Sequence, residues 1–269
     1  MYEQHLQGHS TARPECFIVA LVMCRLFAVL AHEPVRVDHA FAALKRQALE
    51  HKDGWGMAVF HKGEAPKLEV SITPASTCTR FSELGDALKA KGLLVHLRLA
   101  SVGTVKTENA HPFFAGGFAF MHNGTLRNFA AHRDELEARI APQWRAQLRG
   151  ETDSERCFAL YLTLLGADRG LEAMARAAAH VMSLCAQTCD TALAPGVLRS
   201  AMNFLVTDGS QLVATRRGRT LFHTEKDGAQ FVASEALWPE SEWAEVAEDS
   251  ALLIDAGLRS RHVPLSELA

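Results

Sequence analysis

The sequence predicts an α+β protein in which β-sheets are layered against helices. Of its 269 residues, 48% are hydrophobic and 22% are charged, which is typical of a globular chain with a sizeable buried core. Strand patterns dominate the first half, two helical patterns occupy 152–186, and strand patterns return after residue 200. This order is not the regular alternation of a parallel α/β sheet, so we expect one α+β or layered domain.

The elements of the first half follow from hydrophobic periodicity and from glycine signals. Residues 24–31 have a strand-like pattern, whereas apolar residues at 37, 41, 44 and 48 predict an amphipathic helix over 37–50. Short strands are predicted around a Lys62-Gly63 turn, and a second helix is predicted to be closed off by Gly92. The predicted ranges are 57–60 and 68–72 for these strands, 81–89 for the helix, and 93–100 and 118–122 for two further strands.

The second half reads as helices followed by strands. Helices are predicted at 152–165 and 171–186, the second of them rich in alanine. Asp208-Gly209 is a turn signal, so 203–207 and 211–215 are predicted to form a hairpin. Two more strands are expected at 231–234 and 252–255. We find no internal repeat and no convincing linker in the sequence.

Charge and cysteine content exclude several classes of protein. With 28 basic and 31 acidic side chains the net charge is −3, so a nucleic-acid partner is not favoured. The six cysteines form no Cys-x-x-Cys, which favours a reducing, cytoplasmic compartment. Cys185 and Cys189 have helical spacing, but a metal there would need two more ligands, so no metal or other cofactor is expected. The apolar run over 16–31, interrupted by Arg25, is too short to span a membrane.

Cys24 follows Met23 at the start of the first predicted strand. As an ordinary strand residue it would be a buried thiol without further function. If translation began at Met23 and that residue were removed, Cys24 would carry a free α-amino group with a pKa of about 7.7–8.0. Such an amine can act as a base near neutral pH for the thiol of its own residue.

Arg98 lies two residues after His96 in an otherwise apolar strand pattern. Period two sends both side chains to the same face of the predicted strand. One interpretation is an edge strand with Arg98 in water, because a buried unpaired cation is costly. The other is a carboxylate clamp that uses the bidentate donor fork of the guanidinium group.

Asn123-Gly124 and Asp153 each have a structural and a functional interpretation. Asn-Gly is the strongest hairpin signal and predicts a type I′ turn, but a side-chain amide beside an accessible backbone N–H can also form an oxyanion hole. Thr152 and Glu155 predict a capping box, with Asp153 in the first helical turn. There Asp153 can compensate the helix dipole, or it can bind an ammonium group. Asp53-Gly54-Trp55-Gly56, taken alone, indicates only a sharp bend.

The order of these motifs carries more information than any one of them. They resemble a class II glutamine amidotransferase domain of the N-terminal nucleophile hydrolases, motif by motif from Cys24 to about Leu165. The short form resembles the stand-alone branch of that family, which includes hydrolases of γ-glutamyl amides in thiol metabolism. The motifs are Met-Cys-Arg-Leu-Phe (23–27), Asp-Gly-Trp-Gly (53–56), His-x-Arg-x-Ala-Ser (96–101), Asn-x-His-Pro-Phe (109–113), His-Asn-Gly (122–124) and Glu-Thr-Asp-Ser-Glu (151–155).

The resemblance implies a fold and a role for each motif. The implied fold is a four-layer αββα sandwich of two antiparallel sheets between helix layers. Cys24 matches the nucleophile, and Asn123 with Gly124 matches the oxyanion hole. Arg98 matches the group that binds the α-carboxylate of glutamine, with Ser101 near it where relatives often have Thr. Asp153 matches the group that binds the α-ammonium.

The implied activity is hydrolysis of the γ-amide of glutamine to glutamate and ammonia, without a metal. The alternative substrate is a γ-glutamyl compound, and the implied partner is a separate synthase subunit or a second copy of this chain. Two departures bear on this expectation. Synthase-linked members often carry an aromatic residue and a histidine where this chain has Leu99 and Val102. The chain also places residues 1–23 before Cys24.

The domain organisation therefore depends on the N-terminus. We predict an extra segment at 1–23, either a mis-assigned start or a segment that is removed, and an amidotransferase domain at 24–269. If the segment is retained, the Cys24 nitrogen is a peptide nitrogen and cannot act as a base. The alternative function is then a non-catalytic module that binds an amino acid.

Overall fold

The computed structural model describes residues 23–61, 64–191, 193–194, 196–239 and 242–268. Its strands are β1 (Arg25–Arg36), β2 (Trp55–Phe60), β3 (Lys67–Ser71), β4 (Lys89–Leu97), β5 (Phe113–Ala115), β6 (Phe118–Thr125), β7 (Ala201–Thr207), β8 (Leu212–Arg216), β9 (Phe222–Lys226), β10 (Ala229–Ala233), β11 (Ala244–Glu245), β12 (Ser250–Ile254) and β13 (Ser260–Pro264). Its helices are α1 (Asp38–Gln47), α2 (Thr79–Ala87), α3 (Phe129–Ala138), α4 (Pro142–Arg145), α5 (Asp153–Leu165) and α6 (Leu171–Cys189).

The strands form two antiparallel sheets. The first has the order β11-β9-β10-β1-β4-β2-β3, and the second has the order β13-β12-β8-β7-β6-β5. Apolar side chains of α1 and α2 pack on the outer face of the first sheet. Those of α3, α5 and α6 pack on the outer face of the second. A third apolar cluster lies between the sheets, so the four-layer αββα sandwich is confirmed.

Strand β1 shows why the strands are apolar on both faces. Leu26, Ala28 and Leu30 point between the two sheets, whereas Phe27 and Val29 pack towards the helices. All five are buried, because a sheet covered on both sides has no solvated face. The central position of β1, between β10 and β4, places the residue before it at the middle of the first sheet.

Two predictions that rest on local glycine signals, a helix end and a hairpin turn, are wrong. Gly92 does not close the second helix: α2 ends at Ala87, Leu88 is already extended, and Gly92 lies inside β4. Asn123-Gly124 is not a hairpin turn, because β6 continues through both residues and pairs with Asn203 and Met202 of β7. Gly92 pairs with β1 and β2, and Asn123-Gly124 pairs with β7, so strand pairing outweighs the local preference in both cases.

The predicted hairpin at 203–215 is confirmed, with β7 and β8 antiparallel and Gly209 in a left-handed conformation. The sequence patterns missed the short or polar elements α3, α4, β5, β9, β11 and β13. The Lys62-Gly63 turn and residues 1–22 lie outside the described residues. Among the described helices, none combines the length and the apolar character needed to cross a membrane.

Candidate active site

Cys24 directly precedes β1, where the start of that strand meets the end of β4. The pairing of Arg25 with Leu97 brings Cys24 opposite the residues that follow β4. The Cys24 Sγ donates to the carbonyl oxygen of Leu99 at 3.2 Å and accepts the Leu99 N–H at 3.3 Å. The thiol is thus held by backbone groups of the segment that also carries Arg98.

The surroundings of the Cys24 thiol disfavour its ionised form. Burial raises its pKa, and the Leu99 N–H and the charge of Arg98 only partly oppose this effect. Because the thiolate is the nucleophilic form, a thiol in this position needs a neighbouring base to react at neutral pH.

The peptide group before Cys24 is held by two side chains that the sequence analysis did not assign. The Met23 carbonyl oxygen accepts from Arg25 Nη1 at 2.6 Å and contacts His51 Nε2. His51 is fully buried, and its Nδ1 contacts the Gln47 carbonyl oxygen at 2.6 Å. Arg25 also forms an ion pair with Glu235. His51 therefore contacts the carbonyl group of the peptide that precedes Cys24, and no sequence motif singled it out.

Arg98 is buried rather than solvated, so the edge-strand interpretation is wrong. It follows β4, an interior strand between β1 and β2, and its side chain is only 4% exposed. Its Nη2 donates to the carbonyl oxygens of Val102 (3.4 Å) and Thr104 (3.2 Å). Its Nη1 is buried and has no hydrogen-bond partner among the described residues. An unused buried guanidinium donor is the group that an incoming carboxylate would satisfy.

The Asp53-Gly54 bend braces the arginine segment. Asp53 Oδ2 accepts the Ala100 N–H at 2.7 Å, and the Asp53 N–H donates to the Arg98 carbonyl at 3.2 Å. The Arg98 N–H donates to the Gly54 carbonyl at 2.9 Å. Gly54 has φ +108, a conformation that favours glycine. The motif that predicted only a bend thus fixes the backbone around Arg98.

Asn123 and Gly124 are part of β6. Asn123 is 2% exposed, and its Nδ2 donates to Ser234 Oγ at 3.3 Å. Its Oδ1 is buried, and no described residue offers it a hydrogen bond. Gly124 lines the cavity next to Cys24. Ser234 follows β10 and was predicted only as the end of a strand.

Asp153 begins α5, as the capping pattern predicted. Thr152 is the N-cap, and its Oγ1 accepts the Glu155 N–H at 3.2 Å. Asp153 is 2% exposed, and its carboxylate accepts the N–H groups of Leu126 (2.7 Å) and Ser154 (2.9 Å). The buried carboxylate is thus held rigidly by two backbone donors at the helix terminus.

Five of the six predicted site residues line one small cavity, and the sixth, Asn123, lies beside it. The five are Cys24, Arg98, Ser101, Gly124 and Asp153. Ser101 is exposed at the rim, where its Oγ lies 2.7 Å from Thr125 Oγ1. The tertiary structure therefore brings together residues that are spread over 130 positions of the chain.

Two histidines form another wall of this cavity. The rings of His96 and His111 are tilted by 34° with centroids 4.3 Å apart, and within the described part of the chain all four ring nitrogens lack hydrogen-bond partners. Burial lowers the pKa of His96 to about 3 and that of His111 well below its usual range. Both rings are therefore neutral near pH 7 and add no positive charge to that of Arg98.

The sequence matches the model of one protein family over most of its length. The model of the class-II glutamine amidotransferases matches residues 23–228. The chain belongs to this family.

Individual relatives in the family differ from this chain in length. The probable glutamine amidotransferase DUG3 of Saccharomyces cerevisiae is 28% identical over 226 residues, covering 72% of this chain and 63% of the yeast protein. A glutamine–fructose-6-phosphate aminotransferase (isomerizing) of Rhizobium leguminosarum bv. viciae is 27% identical over 260 residues, covering 91% of this chain and 39% of that protein. The chain thus spans less than two thirds of either relative.

Solved structures show the same fold. A glutamine aminotransferase class-II domain protein from Silicibacter pomeroyi superposes with a TM-score of 0.63 at 23% identity, covering 90% of this chain and 99% of that one. Glutamine phosphoribosylpyrophosphate amidotransferase from B. subtilis gives a TM-score of 0.64 at 18% identity, covering 90% of this chain and 49% of that one.

Proposed function

We propose that this chain hydrolyses the γ-amide of glutamine, or of a γ-glutamyl compound, with Cys24 as the nucleophile. The observation that carries the proposal is the convergence of a thiol, a buried guanidinium and a buried carboxylate on one cavity. Membership of the class-II glutamine amidotransferases supports the same reaction class.

In the proposed mechanism the α-amine of Cys24 takes the thiol proton, and the thiolate attacks the γ-carbonyl carbon. The oxyanion accepts from the Asn123 side-chain amide and the Gly124 backbone N–H. The C–N bond then breaks, and ammonia leaves with the proton that the α-amine returns. The same amine deprotonates a water molecule, which cleaves the thioester to glutamate and restores the thiol.

Arg98 and Asp153 are proposed to bind the two charged ends of the amino acid. Arg98 binds the α-carboxylate through the donor fork whose Nη1 is unpartnered, with Ser101 at the rim. Asp153 binds the α-ammonium. Holding both ends fixes the γ-amide against Cys24, which lowers the entropic part of the activation barrier.

The mechanism requires that residues 1–23 be absent from the active enzyme. Either translation starts at Met23, which is then removed, or the segment is cleaved later. The family match begins at residue 23, which supports this proposal. With Met23 present the Cys24 nitrogen is an amide and has no basic lone pair.

The first test compares protein that starts at Cys24 with the full-length chain. We expect glutamate and ammonia release only from the former, with intact masses recorded for both. Equal specific activity, with residues 1–23 still attached, would exclude the α-amine as base. Activity in neither form, with glutamine still bound, would favour the amino-acid-binding module.

The second test removes the nucleophile and surveys substrates. Cys24→Ala is expected to abolish hydrolysis while leaving the fold intact, whereas Cys78→Ala, which removes the other half-buried thiol, should retain activity. If Cys24→Ala kept a tenth of the wild-type turnover, Cys24 would not be the nucleophile. Glutamine and γ-glutamyl amides assayed side by side decide the substrate class.

The partner and the compartment are also proposed. A longer relative is a glutamine–fructose-6-phosphate aminotransferase, so a separate synthase subunit is a fitting recipient of the ammonia, and a homo-oligomer is the alternative assembly. The described cysteines Cys24, Cys78, Cys157, Cys185 and Cys189 are all free, which supports a reducing, cytoplasmic location.

A further inference from the structure

Ser234 forms hydrogen bonds both to Leu26 of β1 and to Asn123. It directly follows β10 and is 2% exposed. Its N–H donates to the Leu26 carbonyl at 3.0 Å, and its Oγ accepts the Leu26 N–H at 3.0 Å. The same Oγ lies 3.3 Å from Asn123 Nδ2. One hydroxyl therefore contacts both the strand that carries Cys24 and the proposed oxyanion donor.

The donors and acceptors around this hydroxyl are not all used. A serine hydroxyl has one hydrogen and two lone pairs, and the Leu26 N–H occupies one lone pair. As placed, Asn123 Nδ2 uses the other lone pair, while its buried Oδ1 has no partner. The Ser234 hydrogen then has no acceptor on Asn123. A buried acceptor without a partner is unfavourable.

Rotating the Asn123 amide by 180° gives the Ser234 hydrogen an acceptor and moves the unpartnered position from Oδ1 to Nδ2, which the substrate oxyanion can then fill. Oδ1 then accepts the Ser234 hydroxyl hydrogen, and Nδ2 takes the position where Oδ1 has no partner. The two orientations differ only in which amide atom is nitrogen and which is oxygen, a choice that the hydrogen-bond network decides. Only the rotated amide leaves both hydrogens of Nδ2 without a bond to Ser234.

We propose that Ser234 is a positioning residue for the oxyanion hole. Its hydroxyl donates to Asn123 Oδ1 and so keeps Nδ2 free to donate to the oxyanion of the substrate. The inference rests on the proposed role of Asn123 and adds the group that sets the orientation of its amide. Ser234 itself does not touch the substrate.

A double-mutant cycle tests the inference in protein that starts at Cys24. Ser234→Ala is expected to lower kcat about 10–100-fold, somewhat less than loss of an oxyanion donor itself, with KM within about twofold. In an Asn123→Ala background the same change should cost less than about twofold, because the amide it positions is gone. Ser234→Thr, which keeps the hydroxyl, should recover most of the activity.

A matched control separates this role from loss of any buried hydroxyl. Ser250 is also buried, and its Oγ donates to the Ala247 carbonyl at 2.6 Å. Ser250→Ala should leave kcat within about twofold of wild type. If Ser234→Ala cost as much in the Asn123→Ala background as in the wild type, Ser234 would act through Leu26 and the inference would be wrong.

A neutron structure of the wild-type protein tests the same inference without activity and without a variant that must fold. Deuterium on Ser234 Oγ directed at Asn123 supports the inference. Deuterium on Asn123 Nδ2 directed at Ser234 Oγ overturns it. A wild-type protein that releases no ammonia would instead contradict the proposed function, whatever the amide orientation.

Discussion

Arg98 is the side chain whose proposed role depends most on geometry. Lysine keeps the positive charge but loses the planar fork, so Arg98→Lys is not conservative at a bidentate site. We expect KM for glutamine to rise about tenfold or more, with a smaller fall in kcat. Steady-state kinetics on protein that starts at Cys24 provides the measurement.

An exposed arginine gives the control for this substitution. Arg80 donates to both carboxylate oxygens of Glu69 at the surface. Arg80→Lys should leave KM unchanged, because the exposed ion pair contributes little free energy and is not part of the proposed substrate site. An unchanged KM in Arg98→Lys would remove Arg98 from the substrate site.

Asp153 is expected to recognise the α-ammonium of the substrate. Asp153→Asn keeps an acceptor oxygen for Leu126 but removes the charge, so KM for glutamine should rise about tenfold. An analogue without the α-amino group, glutaric acid monoamide, should react equally well with both proteins. If KM for glutamine were unchanged, Asp153 would only stabilise the helix N-terminus, an effect of about 0.3–1 kcal/mol.

At the scale of elements, the approach of β6 to β7 requires glycine at position 124. A Cβ there would overlap the Ala201 carbonyl oxygen and His122 Nε2. We expect Gly124→Ala to force the two strands apart and to lower the free energy of unfolding by about 1–3 kcal/mol. Urea denaturation measures the change, and amide exchange along β6 and β7 locates it.

Gly170 provides the matched control for Gly124. It has an ordinary φ of −69, and an added Cβ would come no closer than 3.3 Å to Asp168. Because Gly170 is the N-cap of α6, where alanine is less favourable, Gly170→Ala should lower the free energy of unfolding by at most about 1 kcal/mol, less than Gly124→Ala. Equal midpoints for both alanine variants would mean that β6 and β7 tolerate a wider separation than the structure implies.

At the scale of the whole molecule, buried histidines make stability depend on pH. Burial lowers the pKa of His96, His111 and His122, and that of His96 lies at about 3. An unfolded histidine titrates near pH 6.5. Between about pH 6.5 and 3 the unfolded chain therefore binds more protons, so stability falls as pH decreases. His96 alone contributes up to about 1.4 kcal/mol per pH unit in this window.

Urea midpoints at pH 7.5, 6.5 and 5.5 check this expectation. Carboxylates with lowered pKa values, such as Glu137 and Glu151, lose their contribution only at lower pH. They do not account for a change between pH 6.5 and 5.5. A urea midpoint that stays constant down to pH 5.5 would contradict the prediction that the buried histidines are neutral in the folded protein.

The sequence alone determined the fold class and the identity of the candidate residues. Apolar strand-like runs in β1, β4 and β7, and helical patterns in α1, α5 and α6, specify elements whose apolar sides must be covered. The order of the motifs selected Cys24, Arg98, Asn123 and Asp153 before their positions were known. Short-range chemistry was sufficient there, since the N-cap of α5 lies where Thr152 predicted it.

Only the tertiary structure decided where those residues lie and which others join them. Pairing with β7 overrides the turn preference of Asn123-Gly124. Arg98 is buried because it follows β4, an interior strand. His51 and Ser234 reach the site through contacts over 28 and 111 positions of the chain. Such contacts leave no periodic signal, because they depend on how two sheets face each other and not on the local sequence.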